Sequence, residues 1–140
     1  MLSKLFNLFS NKPSSLYDDL GKEEGLKTLV QNFYQYMEES CATKECLELH
    51  PLENGKIPQS SKDKLFMFLS GWLGGPNLFI ENIGPPRMRA RHMKFKITNQ
   101  EKEQWLLCMQ NALNKHPYKV KNKTELLNSF TALAIRITNS

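Results

Sequence analysis

No apolar run in this 140-residue sequence approaches the roughly 20 residues that cross a bilayer as a helix. The first ten residues are apolar at Leu2, Leu5, Phe6, Leu8 and Phe9, but Ser3, Lys4 and Asn7 interrupt them. With no small-residue cleavage site behind it, this start does not read as a secretion signal; it reads as an extra turn packed on the domain. Cysteine is scarce: Cys41, Cys46 and Cys108 cannot all pair, and reduced thiols in a cytoplasm are the simplest reading. No stretch alternates as a strand, and no segment repeats. Disorder is excluded by 40% apolar residues with 8 Phe, 4 Tyr and 2 Trp. The net charge of +5 is too mild to select a partner by itself. A chain of this length forms one domain and buries roughly 68–70% of its unfolded surface, so it folds without a disulfide.

What is present is helical spacing. Residues 1–15 read as an extension, a short helix and a linker (Ser10-Asn-Lys-Pro-Ser-Ser15), and 16–140 as the domain. A short helix follows at 16–20, capped by Ser14 or Ser15. Leu26, Leu29, Val30, Phe33, Tyr34 and Met37 fall on one face of a helix over 23–38. Pro51, Gly55 and Pro58 keep 40–59 irregular, apart from a helical turn near Leu47–His50. Ser60 or Ser61 caps a helix to Leu73 with Leu65, Phe68, Leu69 and Trp72 on its stripe; Gly74-Gly75-Pro76 stops it. A loop over 77–84 leads to a short helix opened by Pro85 and Pro86. Thr98-x-x-Glu101 is a capping box for a helix to about residue 115, and Asn122-x-x-Glu125 resembles one for a helix over 124–138. Two long helices then cross two others.

Of the three histidines, His92 stands out. It sits on the short basic helix behind Arg87, Arg89 and Arg91, as a ligand for something buried that is anionic at its edge. Tyr34 lies on an otherwise apolar stripe, and a buried phenol needs a hydrogen-bond partner. The ordinary readings stand beside these: a surface histidine, and Tyr34 and Trp105 as core with their polar tips on backbone. Cys41-x4-Cys46-x3-His50 offers two soft ligands and an imidazole, but it lacks a fourth ligand and a common zinc spacing. A Cys41–Cys46 redox pair is a further reading of the same residues. Cys108 reads as core packing and His116, before Pro117, as an exposed helix end.

Together Phe33-Tyr34, His50-Pro51, Met67-Phe68-Leu69, Gly74-Gly75-Pro76, Pro86-Arg-Met-Arg-Ala-Arg-His92-x-x-Phe95-x-Ile97 and Trp105-Leu-x-Cys-Met109 resemble the group II truncated haemoglobins over residues 16–138. The resemblance implies an all-α two-over-two sandwich enclosing haem b. It implies His92 as the proximal iron ligand and Tyr34, Trp105 and His50 as distal groups facing a gas. It places Phe33, Ser61, Leu65, Phe68, Leu69, Met88, Phe95 and Ile97 around the haem; Ser61 stands where longer globins carry a distal histidine. Arg91, Arg89 and Lys64 suit the propionates, because a guanidinium fork matches a carboxylate.

Three functions follow as expectations. The first is a haem protein that binds O2 and related gases (nitric oxide, carbon monoxide) or peroxide at a five-coordinate iron and retains O2 through polar donors, suited to detoxification or sensing. The second is an enzyme of the nitric oxide dioxygenase or peroxidase type with an external reductase. The third is a cofactor-free basic helical domain binding nucleic acid or a partner protein; no aromatic interleaving or known nucleic-acid motif accompanies the basic residues.

Overall fold

The computed structural model describes residues 14–140 and is helical throughout. In chain order the helices are α1 (Leu16–Asp19), α2 (Lys22–Glu39), α3 (Lys44–Glu48), α4 (Gln59–Trp72), α5 (Leu78–Asn82), α6 (Met88–His92), α7 (Asn99–Asn114) and α8 (Lys123–Ile137), with a 3-10 turn at Cys41–Thr43. Strand-like pairing among the described residues is limited to one bridge, Glu53 to Lys56. It closes over Asn54 and Gly55, both left-handed (φ 53° and 77°), the conformation that an Asn-Gly pair suits. The expectation of an extra turn within residues 1–13 lies outside the described residues.

Caps decide where several helices begin. Ser15 Oγ accepts from the Asp18 N–H at 3.1 Å while the Asp18 carboxylate accepts from the Ser15 N–H. Thr98 and Glu101 form the same reciprocal box at the head of α7. Two expected caps are absent. The helix α4 starts after Pro58, whose extended ψ of 153° delivers the chain into it, so Ser60 and Ser61 lie inside the first turn. Asn122 precedes α8 without a side-chain cap bond. The expected loop over 77–84 contains α5, and the predicted turn at Leu47–His50 overlaps the end of α3, which starts three residues earlier. Each has five residues, too few to show a repeat in the sequence.

The pair α2 and α4 packs over α7 and α8, with α2 lying on both α4 and α7. Leu26, Leu29, Phe33 and Met37 from α2, Leu69 from α4, Cys108, Met109 and Ala112 from α7, and Leu126 and Phe130 from α8 are fully buried. Burying each of the Leu, Phe and Met side chains among them stabilises by about 1.5–3 kcal/mol, and all of them form one continuous core. Gly21 makes the elbow before α2: its φ of 100° is left-handed, and a Cβ there meets the Tyr118 ring at 2.6 Å. His116 is not an exposed end. Its Nε2 donates to the Leu20 carbonyl at 2.7 Å, tying the end of α7 to that elbow. Among the described residues no helix is long and apolar enough to cross a membrane.

Candidate functional site

The helix α6 buries none of its residues and is aimed by polar contacts. Arg87, just before it, is left-handed at φ 39°, a conformation that costs a non-glycine residue energy. Arg91 folds its guanidinium back so that Nε and Nη2 donate to the carbonyls of Pro86 and Pro85 at 2.6 and 3.0 Å, and it lies over the Phe79 ring. His92 Nδ1 sits 2.6 Å from the Met88 carbonyl oxygen. A carbonyl only accepts, so Nδ1 donates to it, and Nε2 is the ring nitrogen left to offer a lone pair to a ligand.

His92 borders two adjoining cavities. The larger, about 630 Å3, is lined by Tyr34, His50, Ser61, Lys64, Leu65, Phe68, Met88, Arg91, His92 and Phe95, among others. The smaller, about 140 Å3, is lined by Ile97, Trp105, Ala134 and Ile137, and shares His50, Pro51, His92 and Phe95 with the first. On α4, Ser61, Leu65 and Phe68 follow one another at helical spacing and face the larger space. One residue further on, about 100° round the helix, Leu69 turns into the core. Phe33 is also fully buried and stands behind the wall, edge-on to Tyr34 at 5.0 Å and to Trp105 at 5.2 Å between ring centroids. Neither touches the cavity as expected; both brace residues that do.

The three polar groups opposite α6 differ in what they offer. Tyr34 is buried, and burial pushes its phenol above the ordinary value, helped by the nearby Cys46, so it stays an O–H. Its hydroxyl and the Trp105 indole N–H have no acceptor among the described residues, and neither is among the sealed-off unpaired polar atoms; both are left to the cavities they line. His50 is different. Its Nδ1 lies 2.9 Å from the Cys46 carbonyl. Burial lowers its pKa and outweighs the opposing hydrogen bond to the Cys46 carbonyl, with a smaller lowering effect from His92, so the ring is neutral and turns an unprotonated Nε2 to the cavity. The expected donor is an acceptor.

Among the basic residues, Lys64 and Arg91 line the cavity as expected, and Lys94 joins them. Arg89 does not. Its Nη1 donates to the Arg136 carbonyl at 2.8 Å, satisfying the end of α8, and the side chain lies outside the cavity lining. Sequence reasoning missed Lys94, Phe79 and Ile83 on the wall; Lys94 lies two residues past His92, and the others belong to the unpredicted α5 and its end. It also missed Asn139, whose amide donates to the His92 and Phe95 carbonyls at 3.2 and 2.9 Å.

The cysteines form no site. Cys41 is exposed and Cys46 buried, so they make no pair. Burial pushes the Cys46 and Cys108 thiols up to about 12, which leaves them protonated packing groups. No cluster of metal-ligating side chains occurs among the described residues, which removes the zinc reading.

The residues fit a haem. The cavity is of small-molecule size (about 300–1,000 Å3) and mostly apolar, with an imidazole whose Nε2 is free and with Lys64, Arg91 and Lys94 available for carboxylates. A family model described as bacterial-like globin matches residues 15–139. A group 2 truncated hemoglobin of Bacillus subtilis (strain 168) is 38% identical over 101 residues, 70% of this chain and 68% of that protein. A cold-adapted truncated hemoglobin from the Antarctic marine bacterium Pseudoalteromonas haloplanktis TAC125 superposes with a TM-score of 0.83 at 34% identity, covering 91% of this chain and 99% of that one. A truncated oxygen-avid haemoglobin from Bacillus subtilis does so with a TM-score of 0.77 at 30% identity, covering 90% and 100%.

Proposed function

This chain belongs to the bacterial-like globins as a group II truncated haemoglobin and binds small gas molecules on haem; we propose that His92 is its iron ligand and that Tyr34 and Trp105 make it retain O2. Haem b would supply an iron able to bind a diatomic gas, and His92 is the side chain that would hold it. The observation that carries the reading is the His92 ring, with Nδ1 held by the Met88 carbonyl and Nε2 left as a lone pair beside the cavity. Lys64, Arg91 and Lys94 would hold the propionates.

The distal side is built for a ligand that gathers negative charge. Trp105 and Tyr34 offer an N–H and an O–H with no competing acceptor. A hydrogen bond to a charged group contributes roughly 1.5–3 kcal/mol, so two of them slow release by roughly a hundredfold to ten-thousandfold. The relative described as oxygen-avid supports the same behaviour here. A protein that holds O2 this long is a poor carrier. Removal of nitric oxide or peroxide with electrons from an external reductase, or sensing, suits it better, in the reducing cytoplasm that three free thiols favour. The test is O2 dissociation from the ferrous protein, which is expected to be slow; release as fast as that of an ordinary oxygen store contradicts retention.

One observation favours peroxide as a second substrate. His50 presents an unprotonated Nε2 to the cavity at neutral pH and can accept a proton from peroxide as a general base. Replacing His50 with leucine is expected to cut peroxide turnover while leaving haem bound; turnover unchanged, or no better than free haem in the wild type, excludes it.

A further inference from the structure

The short helix that carries His92 contributes no buried side chain, so apolar packing of its own residues does not fix where the imidazole sits. The end of the chain does. Asn139 Nδ2 donates to the carbonyls of His92 and Phe95 at 3.2 and 2.9 Å, while its Oδ1 accepts from the Ile97 N–H at 3.0 Å. One side chain thus holds three backbone groups spread over the six residues from His92 to Ile97. The Asn139 and Ser140 N–H groups also meet the Ile97 carbonyl, at 3.0 and 3.1 Å. On the other side Arg89, within the same short helix, reaches the Arg136 carbonyl at 2.8 Å. The contacts run both ways between the ligand segment and the end of α8 with the residues that follow it.

We infer that Asn139, with Arg89 as its counterpart, is a positioning residue that fixes where the proximal His92 imidazole sits and how it is turned toward the cavity. The inference rests on His92 being the iron ligand. An amide is suited to this place. The Phe95 carbonyl takes a donor, the His92 carbonyl takes a second one beside the Phe95 N–H, and the Ile97 N–H takes an acceptor; a side chain with both donor and acceptor, at asparagine length, meets all three. Aspartate has the same shape but no donor, and it sets a carboxylate against two carbonyl oxygens. The segment just after α8, with the last turn of α8 at Arg136, therefore positions the imidazole through hydrogen bonds rather than through the core.

The test uses the haem-loaded full chain and reads the iron–histidine stretching band of the ferrous protein by resonance Raman, together with haem loss to an excess of a haem-scavenging protein. Asn139→Asp is expected to shift that band and to speed haem loss by roughly tenfold, the factor to which two lost neutral hydrogen bonds correspond. Arg89→Gln, a change on an exposed side chain, is expected to shift the band in the same way and decides the matter alone if Asn139→Asp does not fold. Leu29→Ala, in the core of α2, serves as the comparison: it lowers the melting temperature without moving the band. If both clasp variants behave like Leu29→Ala, the residues are merely structural and the inference is wrong. If instead the band survives in His92→Ala, the ligand assignment itself has failed, which is a different result.

Discussion

Trp105 is the residue whose chemistry the site leaves least choice. Its ring is fixed edge-on between Phe33 and Phe130, and its N–H has only the cavity to serve. Trp105→Phe keeps the packing and removes the donor, so O2 release is expected to rise by roughly ten- to a hundredfold, measured by stopped-flow displacement with carbon monoxide. The His50 ring carries a pH dependence of known sign. Burial lowers its pKa below 6.5, so its contribution to stability is complete above about 6.5, the ordinary value, and is lost as the pH falls through the lower folded value. Urea unfolding of the haem-free chain is therefore expected to show stability falling on acidification below neutrality, and His50→Leu flattens that part of the curve. An unaltered slope in the variant contradicts the buried neutral ring. Tyr34 and His92 were legible as polar residues in apolar or basic settings, and His92 as a ligand, whereas the roles of Tyr34, His50 and Trp105 toward a gas came from the family resemblance. Which proton His50 carries was not legible, because it depends on the Cys46 carbonyl one helical turn back. The displacement of Arg89 to Arg136 and the reach of Asn139 depend on where two distant segments meet, and no local pattern announces that.

Among the elements, α7 and α8 test what a capping motif means. Both start at a sequence resembling a capping box, but only Thr98 closes one, accepting from the Gln100 N–H at 3.2 Å while Glu101 receives the Thr98 N–H at 3.1 Å. Thr98→Ala is expected to cost about 1 kcal/mol. Asn122→Ala, which breaks no cap bond, should stay within about 0.5 kcal/mol. Thermal unfolding of the two variants checks this, and equal losses contradict the difference in capping. The four long helices were legible because their apolar stripes run for several turns. Only the end of α3 was, as the turn near Leu47–His50, and α5 was not, since five residues make little more than one turn; α5 brought Phe79 to the wall unannounced. The Asn54-Gly55 turn was readable from its dipeptide but was taken only as a break.

At the scale of the whole molecule, a continuous core under α2, α4, α7 and α8 supports a cavity that α6 and the far side of the sandwich enclose. Haem recognises this arrangement and not the unfolded chain, so its binding adds to folding stability, by roughly 2.7 kcal/mol when free haem is a hundredfold above its dissociation constant. The haem-free chain is accordingly expected to melt lower than the loaded one and to regain the difference with added hemin; no gain speaks against a preformed site. The two-over-two order was legible from helix number and spacing together with the resemblance, whereas the division of the cavity into two chambers that share His50 and His92 came only with the structure. The most direct test is the ferrous absorption spectrum and gas affinity of His92→Gly, with and without added imidazole. Loss of the five-coordinate spectrum, restored by imidazole filling the space left by the ring, is the predicted result. A Soret band and gas affinity unchanged by the substitution would contradict His92 as the iron ligand.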